Sequence, residues 1–134
     1  MRLNTYVNFA GKCAEAFRYY EAHLGGKTGM MMMHDQAPDQ SQVKPEWKDM
    51  VLHATITIGG TELMGADIPK AEPMRSAYLT LNVESDAEAE RIFAALSDGG
   101  QVLMGLQETF FATRFGQARD RFGMNWMILH SRPM

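Results

Sequence analysis

The titratable side chains with the clearest chemical potential flank a predicted β-hairpin. His53 lies on the strand before the Gly59-Gly60 turn, and Glu62 lies on the strand after it. An imidazole changes charge near neutral pH and can exchange a proton with a carboxylate, so the two are candidates for a catalytic base and acid. Two other interpretations stay open: a histidine that is hydrogen-bonded for structural reasons, and a glutamate that is solvated beside the turn.

Arg114 and Cys13 are the next candidates for chemistry. The Arg114 guanidinium can hold an anionic ligand through two hydrogen bonds, or it can form a salt bridge on the surface or at a dimer interface. Cys13 is the single cysteine of the sequence, which excludes an intrachain disulfide and favours a reduced compartment. Because it lies at the start of a predicted amphipathic helix, a packing role is favoured over a reactive nucleophile.

Composition and charge are those of an ordinary globular chain. The 134 residues are 46% hydrophobic and 22% charged, with a net charge of −3 at pH 7, which fits one domain over 1–134. No basic stripe is present, so nucleic acid is not expected as a partner. We expect a cytoplasmic protein without a membrane segment, because no apolar run approaches a bilayer's thickness and no signal region opens the sequence.

The first half, about 1–68, has the pattern of one βαβββ unit. Its predicted elements are a strand over 3–9, a helix over 12–24, and strands over 28–34, 50–58 and 61–66. Gly25-Gly26 end the helix, and Gly59-Gly60 form a tight hairpin turn. The polar segment 34–49 is too long for a tight connection, which indicates a loop with a functional role.

Alternation along the strand 50–58 assigns its residues to two faces. One face carries His53, Thr55 and Thr57, and the other carries Ala54, Ile56 and Ile58. We expect the apolar set to pack under the helices, which turns His53 to the opposite face. A register slip of one residue would reverse all six assignments.

The second half, about 75–132, repeats the order of the first. Its predicted elements are a strand over 78–83, a helix, and strands over 101–106, 109–115 and 124–130. Ser85 to Glu88 have the pattern of a capping box that begins the helix, and Gly99-Gly100 end it. Tyr6 matches Tyr78 when the halves are aligned. Two tandem βαβββ units predict an α+β fold built on an internal repeat.

This repeat resembles the vicinal-oxygen-chelate superfamily, and three motifs resemble its PhnB-like branch. The motifs are Tyr6-Val7-Asn8-Phe9 with Ala16-Phe17-Arg18-Tyr19-Tyr20, His53-Ala54-Thr55-Ile56-Thr57-Ile58-Gly59-Gly60, and Arg114-Phe115-Gly116 with Asp120-Arg121-Phe122-Gly123 and Trp126. The resemblance covers nearly the whole chain. It implies a curled mixed β-sheet around a cleft with the helices outside, and a homodimer.

In metal-dependent members that resemble glyoxalase I, four inward-facing His, Gln or Glu side chains hold the ion. The corresponding positions here fall near Tyr6 and Tyr78 on the first strands and near Met64 and Met127 on the last strands. Phenols and thioethers are poor ligands for a hard or borderline divalent cation. The resemblance therefore predicts neither a metal site nor another cofactor in this chain.

The resemblance also implies a cleft that binds a small organic molecule. The residues expected to line it are Tyr6, Asn8, His53, Thr55, Met64, Tyr78, Thr80, Arg114 and Met127. Two functions stay open: metal-independent binding, and a glyoxalase- or dioxygenase-like enzyme (lyase, isomerase or oxidoreductase) that uses His53 and Glu62 or a displaced metal site. A demethylubiquinone methyltransferase activity is attached to part of this branch, but no glycine-rich turn for S-adenosylmethionine follows the first strand.

Overall fold

The computed structural model describes residues 1–41 and 43–133 and divides the chain into two compact units, Met1–Glu72 and Pro73–Met134. Gln42, within the predicted loop, and Met134, at the end of the predicted domain, lie outside the described residues. In the described part of the chain, no helix is long and apolar enough to cross a membrane.

The first unit is a four-stranded mixed sheet with one long helix. Its elements are β1 (Thr5–Phe9), α1 (Cys13–Leu24), β2 (Lys27–Met33), short 3-10 helices at His34–Gln36 and Pro45–Trp47, β3 (Val51–Ile58) and β4 (Thr61–Asp67). The strand order is β1-β4-β3-β2. β1 runs parallel to β4, whereas β3 pairs antiparallel with both β4 and β2.

The helix α1 packs one face on the sheet because its apolar residues recur at helical spacing. Its buried residues are Cys13, Ala16, Phe17 and Tyr20. Phe17 packs against Phe9 edge to face, and a side chain at Gly65 would come within 3.0 Å of the Phe17 ring. Gly25, at a φ of 68°, ends the helix as predicted.

The predicted faces of β3 are confirmed. Ala54 and Ile56 are 0% and 1% exposed, whereas His53 and Thr55 are half-buried and Thr57 is exposed. Because Ala54 and Ile56 belong to the core beneath α1, the alternating residues lie on the sheet face opposite α1.

The second unit has the same order of elements. They are β5 (Leu79–Asn82), α2 (Asp86–Ser97), β6 (Gln101–Gln107), β7 (Ala112–Arg119) and β8 (Asn125–Ser131), with the strand order β5-β8-β7-β6. The Ser85 hydroxyl caps α2 by accepting a hydrogen bond from the Glu88 N–H at 3.0 Å. Two helices and two mixed four-stranded sheets in the described residues confirm the α+β class and the tandem βαβββ order.

The strand predicted over 109–115 is wrong at both ends, because β7 spans Ala112–Arg119. The Thr109 hydroxyl accepts hydrogen bonds from the N–H groups of Phe111 and Ala112, at 3.3 and 3.1 Å, and so closes a turn. Phe110 is 84% exposed in this turn. The adjacent aromatic residues Phe110 and Phe111 fit a strand pattern, but the chain turns at Thr109.

Candidate functional site

Tyr6 and His53 form a hydrogen-bonded pair on the first unit's sheet, on the face opposite α1. The Tyr6 hydroxyl lies 3.2 Å from the His53 Nδ1, and the two rings stack with centroids 5.6 Å apart and planes 25° apart. Both residues alternate with core residues, Tyr6 with Val7 and His53 with Ala54. The pair is open to solvent on one side, since Tyr6 is 45% exposed and His53 is half-buried.

The protonation of Tyr6 determines what this pair offers a ligand. Partial burial, with a smaller contribution from Cys13, raises the pKa of the Tyr6 phenol. The phenol therefore keeps its hydrogen at neutral pH and can donate it to the His53 Nδ1. An imidazole that accepts at Nδ1 carries its own hydrogen on Nε2, which makes Nε2 a donor for a ligand oxygen.

Three further residues of the predicted ligand site, Asn8, Thr55 and Met64, lie on the same face of the sheet. Together with Tyr6 and His53 they form what we call the Tyr6–His53 face. Met64 on β4 is paired with Tyr6 on one side and with Thr55 on the other. Asn8 follows Tyr6 by two residues and therefore shares its face. The Thr55 hydroxyl accepts a hydrogen bond from the Met30 N–H at 3.1 Å, which leaves its own hydrogen available.

Glu62 is separated from His53, so the structure does not assemble the hypothesised acid–base pair. The hairpin register pairs Glu62 with Thr57, four residues along β3 from His53. At about 3.4 Å per residue, that separation is roughly 14 Å. Glu62 instead lies 4.0 Å from the exposed Arg2 guanidinium.

In the second unit, the strand register corrects the alignment of the two halves. Met127 on β8 pairs with Thr80, just as Met64 pairs with Tyr6, so Thr80 and not Tyr78 is the counterpart of Tyr6. Tyr78 precedes β5. Matching Tyr6 with Tyr78 was an error of two residues, which sequence patterns miss because a two-residue slip leaves every side chain on the same face.

The residues at the positions of the superfamily metal ligands do not fit a divalent metal. Within each unit's own register these positions are held by Tyr6, Met64, Thr80 and Met127, whose hydroxyl and thioether groups are weak ligands for zinc, nickel or iron. Among residues 1–41 and 43–133, no three His, Cys, Asp or Glu side chains are grouped closely enough to hold an ion.

Arg114 lies on the α2 side of its sheet, where it forms salt bridges. Its Nε is 3.1 Å from a Glu90 carboxylate oxygen and its Nη1 is 3.5 Å from an Asp86 carboxylate oxygen. Both acids belong to α2. Ile128 is buried on the α2 side of the sheet, so its neighbour Met127 points to the other face. Thr80, which pairs with Met127, lies on that face too. The salt-bridge alternative is the arrangement found.

Sequence reasoning missed Asp67, which lies one residue beyond the strand predicted over 61–66. Asp67 is the last residue of β4 and is 3% exposed. Its carboxylate accepts hydrogen bonds from the N–H groups of Gly11, Cys13 and Val51, each at 2.9 Å. An acidic residue that ends an apolar strand was the available signal.

Cys13 is fully buried at the start of α1, in agreement with the packing interpretation. Burial, and then the negative charge of Asp67, raise the pKa of the Cys13 thiol to about 12. A thiol with so high a pKa carries almost no thiolate at neutral pH, so it is a poor nucleophile.

A second missed group joins Asp86, Thr113 and His130 in the second unit. One Asp86 carboxylate oxygen lies 2.8 Å from the His130 Nδ1 and accepts a hydrogen bond from the Thr113 hydroxyl at 2.5 Å. These hydrogen bonds, first that of His130 and then that of Thr113, lower the pKa of Asp86. A carboxylate with a lowered pKa stabilises the fold above its ordinary pKa, and this contribution is lost as the pH falls through the lowered value.

We therefore expect Asp86→Asn to make the protein less sensitive to acid. The wild type should lose more of its free energy of unfolding between pH 5 and pH 3 than the variant, because only the wild type must protonate this carboxylate. Urea unfolding at both pH values measures the difference. Glu72→Gln, which changes an exposed carboxylate outside the group, is the control. Equal losses in Asp86→Asn and the wild type would contradict the assignment.

Comparisons with known proteins give the family. The family model described as 3-demethylubiquinone-9 3-methyltransferase matches residues 2–129. Protein YjdN of Escherichia coli K12 is 33% identical over 138 residues, covering 96% of this chain and 94% of that protein. The structure of PA1353 from Pseudomonas aeruginosa is 39% identical, covers 99% of both chains and superposes with a TM-score of 0.87.

A further solved structure supports the fold alone. It is the PhnB protein of Bacillus cereus, described as a putative 3-demethylubiquinone-9 3-methyltransferase, which is 24% identical with a TM-score of 0.82 and covers 98% of this chain and 100% of that chain. The match to the family model and the tandem βαβββ units of the structure point to the same family. The chain therefore belongs to the PhnB-like family whose model is described as 3-demethylubiquinone-9 3-methyltransferase.

Proposed function

We propose that the Tyr6–His53 face binds a small organic molecule without a resident divalent metal. The observation that carries the proposal is the hydrogen-bonded and stacked pair of Tyr6 and His53, which is ordered by its own contacts and still open to solvent. Small-molecule sites commonly combine apolar surface with a few oriented polar groups, and this face offers both.

The groups on this face favour a ligand with acceptor oxygens on an apolar body. His53 Nε2 and the Thr55 hydroxyl are donors, and the Asn8 amide supplies both a donor and an acceptor. The Met64 thioether and the Tyr6 ring supply adaptable apolar surface. Methyl transfer, which the description of the family names, is not part of the proposal, because the turn after β1 is not glycine-rich and the sheets are mixed.

A thermal-shift screen against metabolites, quinones and hydrophobic drugs tests the proposal. The wild type should be stabilised by ligands that stabilise His53→Ala clearly less, because the variant lacks the Nε2 donor. Thr57→Ala, which truncates an exposed residue four positions along β3, is the matched control and should respond like the wild type. Ligands that stabilise all three proteins equally would place the binding elsewhere.

Metal analysis of protein purified without a chelator tests the metal-independent part. We expect no stoichiometric zinc, nickel or iron, because the side chains at the superfamily's ligand positions are hydroxyls and thioethers. One equivalent of any of these metals per chain would overturn this part of the proposal and favour the enzymatic alternative with a displaced site at His53.

We also propose that the protein is a homodimer in the cytoplasm, where the buried, reduced Cys13 would be stable. β6 is an outer strand of its sheet, and Val102 and Met104 on it are 53% and 38% exposed. Exposed apolar residues on an edge strand favour coverage by a partner chain. Sedimentation at micromolar concentration should detect a dimer that Val102→Lys weakens. A monomer under these conditions would contradict the proposal.

A further inference from the structure

A pocket of about 180 Å³ lies at the loop between β2 and β3 of the first unit and shares no lining residue with the Tyr6–His53 face. We propose that it binds a small aromatic carboxylate. Its lining residues are His34, Val43, Lys44, Trp47 and Pro69.

Backbone hydrogen bonds hold the walls of the pocket in place. The Trp47 N–H donates to the Lys44 carbonyl and the Met50 N–H donates to the Trp47 carbonyl, both at 2.9 Å. The His34 N–H donates to the Met50 carbonyl at 2.9 Å, which joins the two ends of the loop. The His34 and Trp47 rings then meet edge to face, with centroids 5.7 Å apart and planes 70° apart.

The size and apolar walls of the pocket fit one aromatic ring. A cavity of roughly 150 Å³ accepts benzene, so this pocket has room for a ring with one small substituent. Val43, Trp47 and Pro69 supply apolar surface, and the indole can contact a ligand ring edge to face or offset.

The charge of the pocket selects the substituent on that ring. Lys44 contributes an ammonium group, and among the lining residues that the structure describes there is no carboxylate. Because no described lining residue offsets its charge, the ammonium favours an anion, and a carboxylate on the ring can reach it while the ring stays against Trp47. The apolar walls disfavour a bare inorganic anion, which would lose hydration without compensation.

Titration with benzoate, followed by NMR of the indole N–H groups, tests the inference. The Trp47 signal should shift to saturation, whereas the Trp126 signal should not move, because that buried indole is hydrogen-bonded to Asp120 in the other unit. Lys44→Met should weaken binding about two- to fivefold, the range for an exposed ion pair. Lys48→Met removes the same charge from a residue outside the pocket lining and should leave the affinity unchanged.

Neutral benzamide completes the test, since it keeps the ring and loses the charge. Benzamide should bind the wild type more weakly than benzoate does. On Lys44→Met, benzamide and benzoate should bind with equal affinity. Benzoate that gives no saturable shift of Trp47, benzamide that binds as tightly as benzoate, or equal weakening by Lys48→Met and Lys44→Met would overturn the inference. His53→Ala should leave benzoate binding intact, so this site and the Tyr6–His53 face can fail independently.

Discussion

Replacing Asp67 with alanine should destabilise the protein by about 3–5 kcal/mol, since three N–H groups, two of them buried, lose their acceptor. The donors are the backbone N–H groups of Gly11, Cys13 and Val51. They belong to the turn before α1, to the first residue of α1 and to the first residue of β3. One carboxylate at 3% exposure thus joins these three parts of the unit, and its loss leaves the buried N–H groups of Cys13 and Val51 without an acceptor.

Urea unfolding of three variants measures this effect. Asp67→Asn should fall between the wild type and Asp67→Ala, because the amide keeps one acceptor oxygen and turns an NH2 group toward a donor. Asp49→Ala removes an exposed carboxylate from the same unit and should change stability by less than about 0.5 kcal/mol. A value for Asp67→Ala within about 1 kcal/mol of the wild type would show that the three hydrogen bonds do not anchor the unit.

Replacing Asp120 with alanine should destabilise the second unit by about 2–4 kcal/mol. Asp120 is 3% exposed, and its carboxylate accepts hydrogen bonds from the N–H groups of Phe122 and Met124, at 2.9 and 3.0 Å. It also accepts one from the Trp126 indole at 2.9 Å. The same carboxylate therefore holds the turn between β7 and β8 and accepts the hydrogen bond of the buried Trp126 indole N–H.

Tryptophan fluorescence reports on this change directly if Trp47→Phe is used as the background, because Trp126 is then the single tryptophan. We expect Asp120→Ala to unfold at a lower urea concentration and to shift the Trp126 emission. Asp98→Ala, which removes an exposed carboxylate of the same unit, is the control. Unchanged emission and an unchanged unfolding midpoint in Asp120→Ala would contradict the assigned role.

Local patterns were sufficient to predict the order of elements and the faces of β3. Polar and apolar residues alternate along the strands, apolar residues recur at helical spacing in α1, and glycine pairs mark helix ends and the hairpin turn. These are local signals, and each agrees with the structure. The start of β7 was missed because the aromatic residues Phe110 and Phe111 satisfy a strand pattern, and only the hydrogen bonds of Thr109 show that the chain turns there.

The candidate site was less accessible to sequence reasoning because it depends on register between strands. The alternation of side chains along the strands places Tyr6, His53 and Glu62 on one face of the sheet. Only the hairpin register shows that Glu62 lies beside Thr57. The same limitation produced the two-residue error at Tyr78. Asp67 was missed for a different reason, since its three partners are far away in sequence and no local pattern announces them.

Calorimetric titration of the strongest ligand from the thermal-shift screen measures whether Tyr6 and His53 bind a small organic molecule. We expect His53→Ala to keep its fold and to bind the ligand about tenfold more weakly, the effect of losing a hydrogen bond of roughly 1–2 kcal/mol. Tyr6→Phe, which no longer fixes the imidazole, should weaken binding less, and Thr57→Ala not at all. Equal affinity in His53→Ala and the wild type would show that the Tyr6–His53 face does not bind this ligand.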